Sequence, residues 1–264
     1  MAITPHVPVP APEPRGLRYG LFTAAIGPLP LPEHGEGGGV TYEPVSCGQA
    51  YWYSTPCHGD LRLAKTLDEY VDGSDPDLVE AEPFVVYSSL VCGPVGNTSA
   101  DLEAKVRRRL ANGEQTVAEF ALWNLIVAGD TPLTSALATD PVAIVAELEQ
   151  WLYGTAAYGN VGYLHAPPRF ASYATEAGLV IRDGPLLRTH MGTVWVFGGG
   201  YADDGTVAIT GNVAVWRATD VFVTPAHQVM DRTANQVSIV AEREYAVAFD
   251  CLAASTVFDW MPSS

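Results

Sequence analysis

Chemistry in a chain needs groups that can hold phosphate, ligate a metal or attack a carbon centre, and this sequence offers a candidate for each. Phe197-Gly198-Gly199-Gly200-Tyr201 follows an apolar run, as a dinucleotide-binding loop follows its strand. Such a loop works because a helix starts directly after it and aims free N–H groups at the phosphate. Here Asp203-Asp204-Gly205 leads into another apolar alternation, so the glycines read as a flexible turn. Cys47, Cys57, His58 and Cys92 carry zinc-type donors, but structural zinc sites use close cysteine pairs and only Cys57-His58 are adjacent. Half-buried free thiols are the expectation for them, Cys251 included. A nucleophilic triad would need a serine or cysteine on a strained elbow. No Gly-x-Ser-x-Gly occurs, and His6, His34, His58, His165, His190 and His227 stand in unrelated contexts. The expectation is a protein with no catalytic residues, no cofactor and no metal.

The elements that would position such groups are of mixed type, an α+β pattern. Residues 1–14 hold five prolines and almost nothing to form a core, so an extended polyproline-like arm is expected. Apolar stretches at 40–55 and 82–92 read as two strands joined by an acidic excursion, 65–82, longer than a compact domain carries without reason. Thr98 with Asp101 resembles a capping box opening a helix to about residue 128. Leu102, Val106 and Leu110 share one of its faces, Asn112-Gly113 is a weak point, and Val117, Phe120, Ala121 and Trp123 resume the apolar pattern. A second helix is capped by Asp140, with Pro141 in its first turn, Val142, Val145, Leu148 and Leu152 along one face, and Gly154 at its end. A third is read over 166–177. Beyond it the period becomes two: a hairpin at Asp183-Gly184, a strand over 193–201, and strand, turn, strand around Gly211-Asn212. The segment 235–253 reads as one long strand, or two with a bend at Glu242-Arg243-Glu244.

Whole-chain properties narrow the function. With 264 residues, 48% hydrophobic and 17% charged, the chain can bury a core. A net charge of −16 with 14 basic residues leaves no basic footprint for gripping phosphate, so sequence-specific nucleic-acid binding is not expected. An acidic wall also suits a container that must not adhere to an enclosed polyanion. No run has the length of a membrane span and the first residues lack a signal-peptide pattern, so a cytosolic, membrane-free protein is expected. Tyr51, Trp52 and Tyr53 lie in a stretch without amphipathic alternation, which makes them candidates for contacts between subunits.

The order of these elements, arm, two-stranded excursion, long charged helix, α/β region and final long strand, resembles the Hong Kong 97-type capsid fold of tailed-bacteriophage major capsid proteins. The resemblance is carried by Phe222 to Phe249, with Asn235 followed by alternating apolar residues and then Ala241-Glu242-Arg243. It is carried also by Leu110 to Gln115 on the long helix, and by the stretch from Tyr163 to Gly200. It implies an N-terminal arm (1–38), an extended loop with flanking strands (39–97), a spine helix (98–134), an axial domain (135–217) and closing strands of a peripheral domain (218–264).

The implied function is structural: self-assembly into hexamers and pentamers of an icosahedral shell around double-stranded DNA, in the virion, after assembly in the host cytoplasm. The implied partners are further copies of the chain, with decoration, scaffolding and portal proteins, and enclosed DNA bound without sequence specificity. Some family members cross-link subunits through a loop Lys and a peripheral Asn assisted by a Glu. Lys65, Asn235 and Glu242 match that pattern, although the acids around Lys65 would hold its amine charged. Two alternatives stay open: an encapsulin-type nanocompartment shell, and a monomeric α/β enzyme or binding module.

Overall fold

The computed structural model describes residues 17–33, 35, 37–44, 78–93, 98–135, 137–224, 230–231, 233, 235–250 and 252–260. The first part of the chain forms α1 (Leu21–Ala24), β1 (Ile26–Pro30), β2 (Val40–Tyr42), β3 (Val79–Ala81), β4 (Pro83–Cys92) and α2 (Ser99–Gly129). Then come β5 (Thr131–Pro132), α3 (Pro141–Glu149) running on into π-helical turns over Gln150–Thr155, β6 (Tyr163–Ala166) and α4 (Phe170–Glu176). The remainder is β7 (Ile181–Asp183), β8 (Leu186–Arg188), β9 (Val194–Phe197), β10 (Thr206–Thr210) and β11 (Val213–Arg217), followed by β12 (Phe222–Val223), β13 (Met230–Asp231), β14 (Gln236–Phe249) and β15 (Ala253–Val257).

Helix α2 begins as its sequence dictates. Thr98 Oγ1 accepts the Asp101 N–H at 3.1 Å, and Asp101 Oδ2 accepts the Thr98 N–H at 3.2 Å, a reciprocal capping box. The helix then runs unbroken through Asn112-Gly113, where a weak point was expected. Leu102, Val106, Leu110, Glu114, Ala118, Leu122 and Ile126 are all buried, a strict four-residue spacing. Each such step overshoots a 3.6-residue turn by about 40°, so the buried stripe winds round the helix and meets two different surfaces. That winding leaves Val117 and Phe120 exposed, contrary to the expected apolar face, and buries Ala118 and Leu122 in their place.

Two sheets supply those surfaces. In the first, β14 is the central strand: β4 pairs antiparallel along one edge, while β13, β12 and β11 pair in succession along the other, and β1 adds parallel to β11. No bend interrupts β14 at Glu242-Arg243-Glu244. The second sheet has the order β5-β15-β10-β6-β9-β8-β7. A small β2–β3 pair lies over the far side of β14, where Tyr42 and Val79 pack with Ala246 and Ala248.

The core between α2 and the two sheets is continuous. It joins Leu102 and Ile126 of the helix to Val86, Ile239 and Tyr245 of the first sheet and to Val194, Val196 and Ala208 of the second. The second sheet is buried on its other face too. There Leu164, Trp195, Phe197 and Ile209 pack against Ile144, Val145 and Leu148 of α3 and Phe170 of α4. Two further expectations need correction here. Val142 points to solvent and Ile144 takes its place in the core, because the helix phase follows the Asp140 cap. Ala166 ends β6, so the third helix starts only at Phe170, after Pro167-Pro168.

Gly211-Asn212 is not a hairpin tip. β10 belongs to the second sheet and β11 to the first, so the chain changes sheet there, and the β14-to-β15 connection changes sheet beside it. The two crossings are tied by Asp250 N–H to Asn212 O at 2.8 Å and by Gly211 N–H to Leu252 O at 3.1 Å. Tyr42 donates its hydroxyl to Asp250 Oδ1 at 3.1 Å, and burial, then the Asp250 charge, push the Tyr42 pKa up.

Candidate assembly surface

The outer face of the first sheet is built by strand alternation. On β4, Val86 points inward, while Val85, Tyr87 and Val91 point outward and are 54%, 71% and 56% exposed. On β14, Val237, Ile239, Ala241, Arg243 and Tyr245 form the inward row, and Glu242 and Glu244 belong to the outward one. Tyr87 pairs with Glu242, and Glu242 pairs on its other edge with Phe222, which is 60% exposed. Directly opposed residues of antiparallel strands share a face, so Tyr87, Glu242 and Phe222 form one row across three strands. Val85, Asp220, Phe222, Glu242 and Glu244 line a hollow of about 420 Å³ beside that row. Its Glu244 accepts the Gly37 N–H. Exposed aromatic and branched side chains rimmed by acids suit contact with another chain.

Behind this face sits a charged lock. Arg243 occupies an inward position of β14 and donates to Glu114 of α2 at 3.1 Å, and Arg217 of β11 reaches the same carboxylate at 3.3 Å. The carboxylate thus binds α2 to β14 and to β11. One turn further along, buried Glu119 accepts the Leu21 N–H at 3.0 Å and the Gln115 side-chain amide at 2.9 Å through Oε1, and the Gly200 N–H at 3.1 Å through Oε2. Burial pushes the Glu119 pKa up, and these donors pull it part of the way back. The glycine run is therefore a turn packed closely against α2. A methyl on Gly200 would collide with the Thr116 carbonyl and the Phe120 amide of α2.

His165, one of the scattered histidines, is wholly buried between Tyr201, whose hydroxyl is 2.8 Å from Nδ1, and Thr210, whose hydroxyl is 3.0 Å from Nε2. Trp123 stacks on Tyr201 at a ring separation of 4.9 Å. Burial lowers the His165 pKa to about 3, so the ring is neutral and its role is to fasten β6, β10 and Tyr201 under α2. His190 is exposed and its Nε2 lies 3.2 Å from Gly178 O.

The other expected positions divide as follows. Tyr51, Trp52, Tyr53 and Lys65 lie outside the described residues, as do Cys47, Cys57, His58 and Cys251. Cys92 is a half-buried free thiol packed against the core. Asn235 is exposed at φ 51° just before β14. Glu242 stands seven residues on, so roughly 20 Å of extended strand separates the two in one chain. Among the described residues no cluster of three or more His, Cys, Asp or Glu is placed to hold a metal. Sequence reasoning missed Tyr87, Glu114, Glu119 and Arg243. The signal for two of them was a single charge interrupting each buried row: Glu114 on the helix stripe and Arg243 on the strand alternation.

No protein-family model and no curated protein matches the chain. Solved structures do. The capsid of the native GTA particle aligns over 96% of this chain and 95% of its own, with a TM-score of 0.58 and 11% identity. The capsid of Ralstonia phage GP4 aligns over 98% of each chain, with a TM-score of 0.56 and 14% identity. The holo-SrpI encapsulin complex from Synechococcus elongatus aligns over 98% of this chain and 96% of its own, with a TM-score of 0.56 and 12% identity. At such identities the likeness is one of fold, and the chain has the Hong Kong 97-type capsid fold.

Proposed function

We propose that this chain is the major capsid subunit of a tailed bacteriophage or a close relative, self-assembling into hexamers and pentamers of an icosahedral shell around double-stranded DNA. The observation that supports this most is coverage in both directions: shell subunits align with this chain almost end to end, with no large part left over on either side. The exposed row of Tyr87 and Phe222 offers apolar surface for repeated contacts, and closed symmetry multiplies modest contacts into a strong shell. The net charge of −16 suits an inner wall that does not adhere to packaged DNA. On this reading the protein acts in the virion after assembly in the host cytoplasm, and it does so through surfaces rather than catalysis.

Its parts take the roles of the fold: the arm at 1–38, the extended loop at 39–97 lying over a neighbour with Tyr51, Trp52 and Tyr53 in contact, the spine helix at 98–134, the axial domain at 135–217 meeting at the capsomer centre, and the closing strands at 218–264. Exposed Met191 and Val161, which line one hollow, support a contact at the axial end. A covalent link through Lys65, Asn235 and Glu242 would draw the amide and the carboxylate from different subunits, because one chain holds them far apart. Monomer bands alone on denaturing electrophoresis of intact particles would rule it out.

A second reading, an encapsulin-type compartment, is supported equally by the encapsulin likeness. The contents separate the two. Particles purified from the native source and treated with nuclease should release protected DNA, whereas a co-purified enzyme in place of DNA would favour the compartment. Decoration, scaffolding and portal proteins are the further partners that the capsid reading requires.

A further inference from the structure

We propose that the N-terminal third of α2 is a contact for the phosphate backbone of the enclosed DNA. The inference rests on the reading of the shell as a DNA container and adds the surface that meets the duplex.

The chain carries 14 bases, and Lys105, Arg107, Arg108 and Arg109 cluster within one stretch of α2 that has no acid from residue 104 to 113. All four are exposed. They are the only bases on α2, and its last turn has none. A helix macrodipole favours bases at the C-terminal end, so helix stability does not account for this placement. Ion pairing does not account for it either. Among the described residues Arg107, Arg108 and Arg109 form no salt bridge, whereas Arg188, Arg217 and Arg243 each meet a carboxylate.

The fold holds these bases in a fan. Arg107 donates to the Val221 carbonyl just before β12 at 3.1 Å, and Arg109 donates to the Ser89 carbonyl of β4 at 3.2 Å. β12 and β4 lie on opposite edges of β14, so the two side chains reach to either side of the sheet. Their acceptors are neutral, which leaves both guanidinium charges uncancelled. Arg108 lies between them, about 200° round the helix from buried Val106, and faces away from the sheet. Beside it Ala104, Ala111 and Asn112 are exposed and small. A basic ridge on small side chains, with no aromatic or branched anchor, suits a charged rod better than a protein partner. Guanidinium forks match phosphate oxygens in geometry as well as charge. With a net charge of −16 elsewhere opposing it, each subunit's grip is weak, and the shell multiplies it. The competing polyanion is the stretch 60–82 of a second copy, with eight acids against two bases.

The test uses the full-length chain before assembly and a labelled duplex of mixed sequence, about 30 base pairs long, followed by fluorescence anisotropy at several salt concentrations. Lys105→Gln with Arg108→Gln should weaken binding about tenfold at low salt and flatten the slope of log affinity against log salt by about 2. Arg108→Lys keeps the charge and should bind nearly as well as wild type. Arg18→Gln with Arg182→Gln removes the same charge from other exposed positions and should change binding less than about twofold. An equal loss in both double variants, or none in the first, overturns the proposal. So does a synthetic peptide of residues 60–82 that binds the same bases more tightly than the duplex. In DNA-filled native particles, acetylation of Lys105 and phenylglyoxal modification of Arg108 should rise severalfold once the DNA is released, with Arg182 unchanged. Nuclease-protected DNA without that rise sinks the contact alone, and duplex binding through these bases by a chain whose particles hold no DNA sinks the container reading alone.

Discussion

Arg243 Nη1 lies 3.1 Å from Glu114 Oε2, so the one base on the inward row of β14 meets the one acid on the four-residue stripe of α2. The contact fixes helix against sheet directly behind the exposed row of Tyr87, Glu242 and Phe222.

Removing Arg243 leaves the largely buried Glu114 carboxylate with Arg217, at 3.3 Å, in place of two bases. Arg243→Met is expected to lower stability by about 3 kcal/mol, lessened where Arg217 and solvent reach Glu114. Glu114→Leu strands both Arg243 and Arg217, so the double variant Glu114→Leu, Arg243→Met, which leaves only the more exposed Arg217 without the carboxylate, should be more stable than Glu114→Leu alone. Urea unfolding of the subunit measures all three variants, and a double variant no more stable than Glu114→Leu alone would contradict the account.

His165 sets a pH dependence. Its folded pKa, about 3, lies below the ordinary 6.5, so between these values the unfolded chain binds a proton that the folded one refuses. The stability is complete above pH 6.5 and falls as pH drops toward 3, by up to about 1.4 kcal/mol per pH unit. Glu119 acts in the opposite sense: its raised pKa favours the folded state at low pH and loses that contribution as pH rises through the folded value. Comparing wild type with His165→Gln isolates the histidine. The variant should show a flatter rise in stability between pH 4 and 6, and unchanged slopes would refute the assignment.

Glu119 ties the segment at Leu21 and the turn at Gly200 to α2. Glu119→Ala leaves both amides without their acceptor and is expected to cost about 2 kcal/mol or more. Hydrogen exchange at Leu21 and Gly200 should accelerate at least tenfold, with Glu119→Gln intermediate. Unchanged protection at both amides would show that the carboxylate is not the latch.

Much of the fold could be read from the sequence because its signals are local. Thr98 and Asp101 announce the start of α2, Asp140-Pro141 the start of α3, and Asp183-Gly184 the hairpin between β7 and β8. What escaped depended on partners far along the chain. Gly211-Asn212 looks like a hairpin turn, yet the strands on either side take partners in different sheets, which no local pattern records. Val117 and Phe120 were misplaced because the stripe on α2 winds away from a single face. The surface was harder still: Tyr87 looks like one more alternating strand residue until β4, β14 and β12 line it up with Glu242 and Phe222.

The central claim is that this chain builds shells, and the most direct measurement is negative-stain microscopy with light scattering on the purified recombinant protein. The account predicts closed particles or capsomer rings many times the 28.2 kDa of one chain. A homogeneous monomer that stays monomeric across concentration, salt and added scaffolding factors would contradict it.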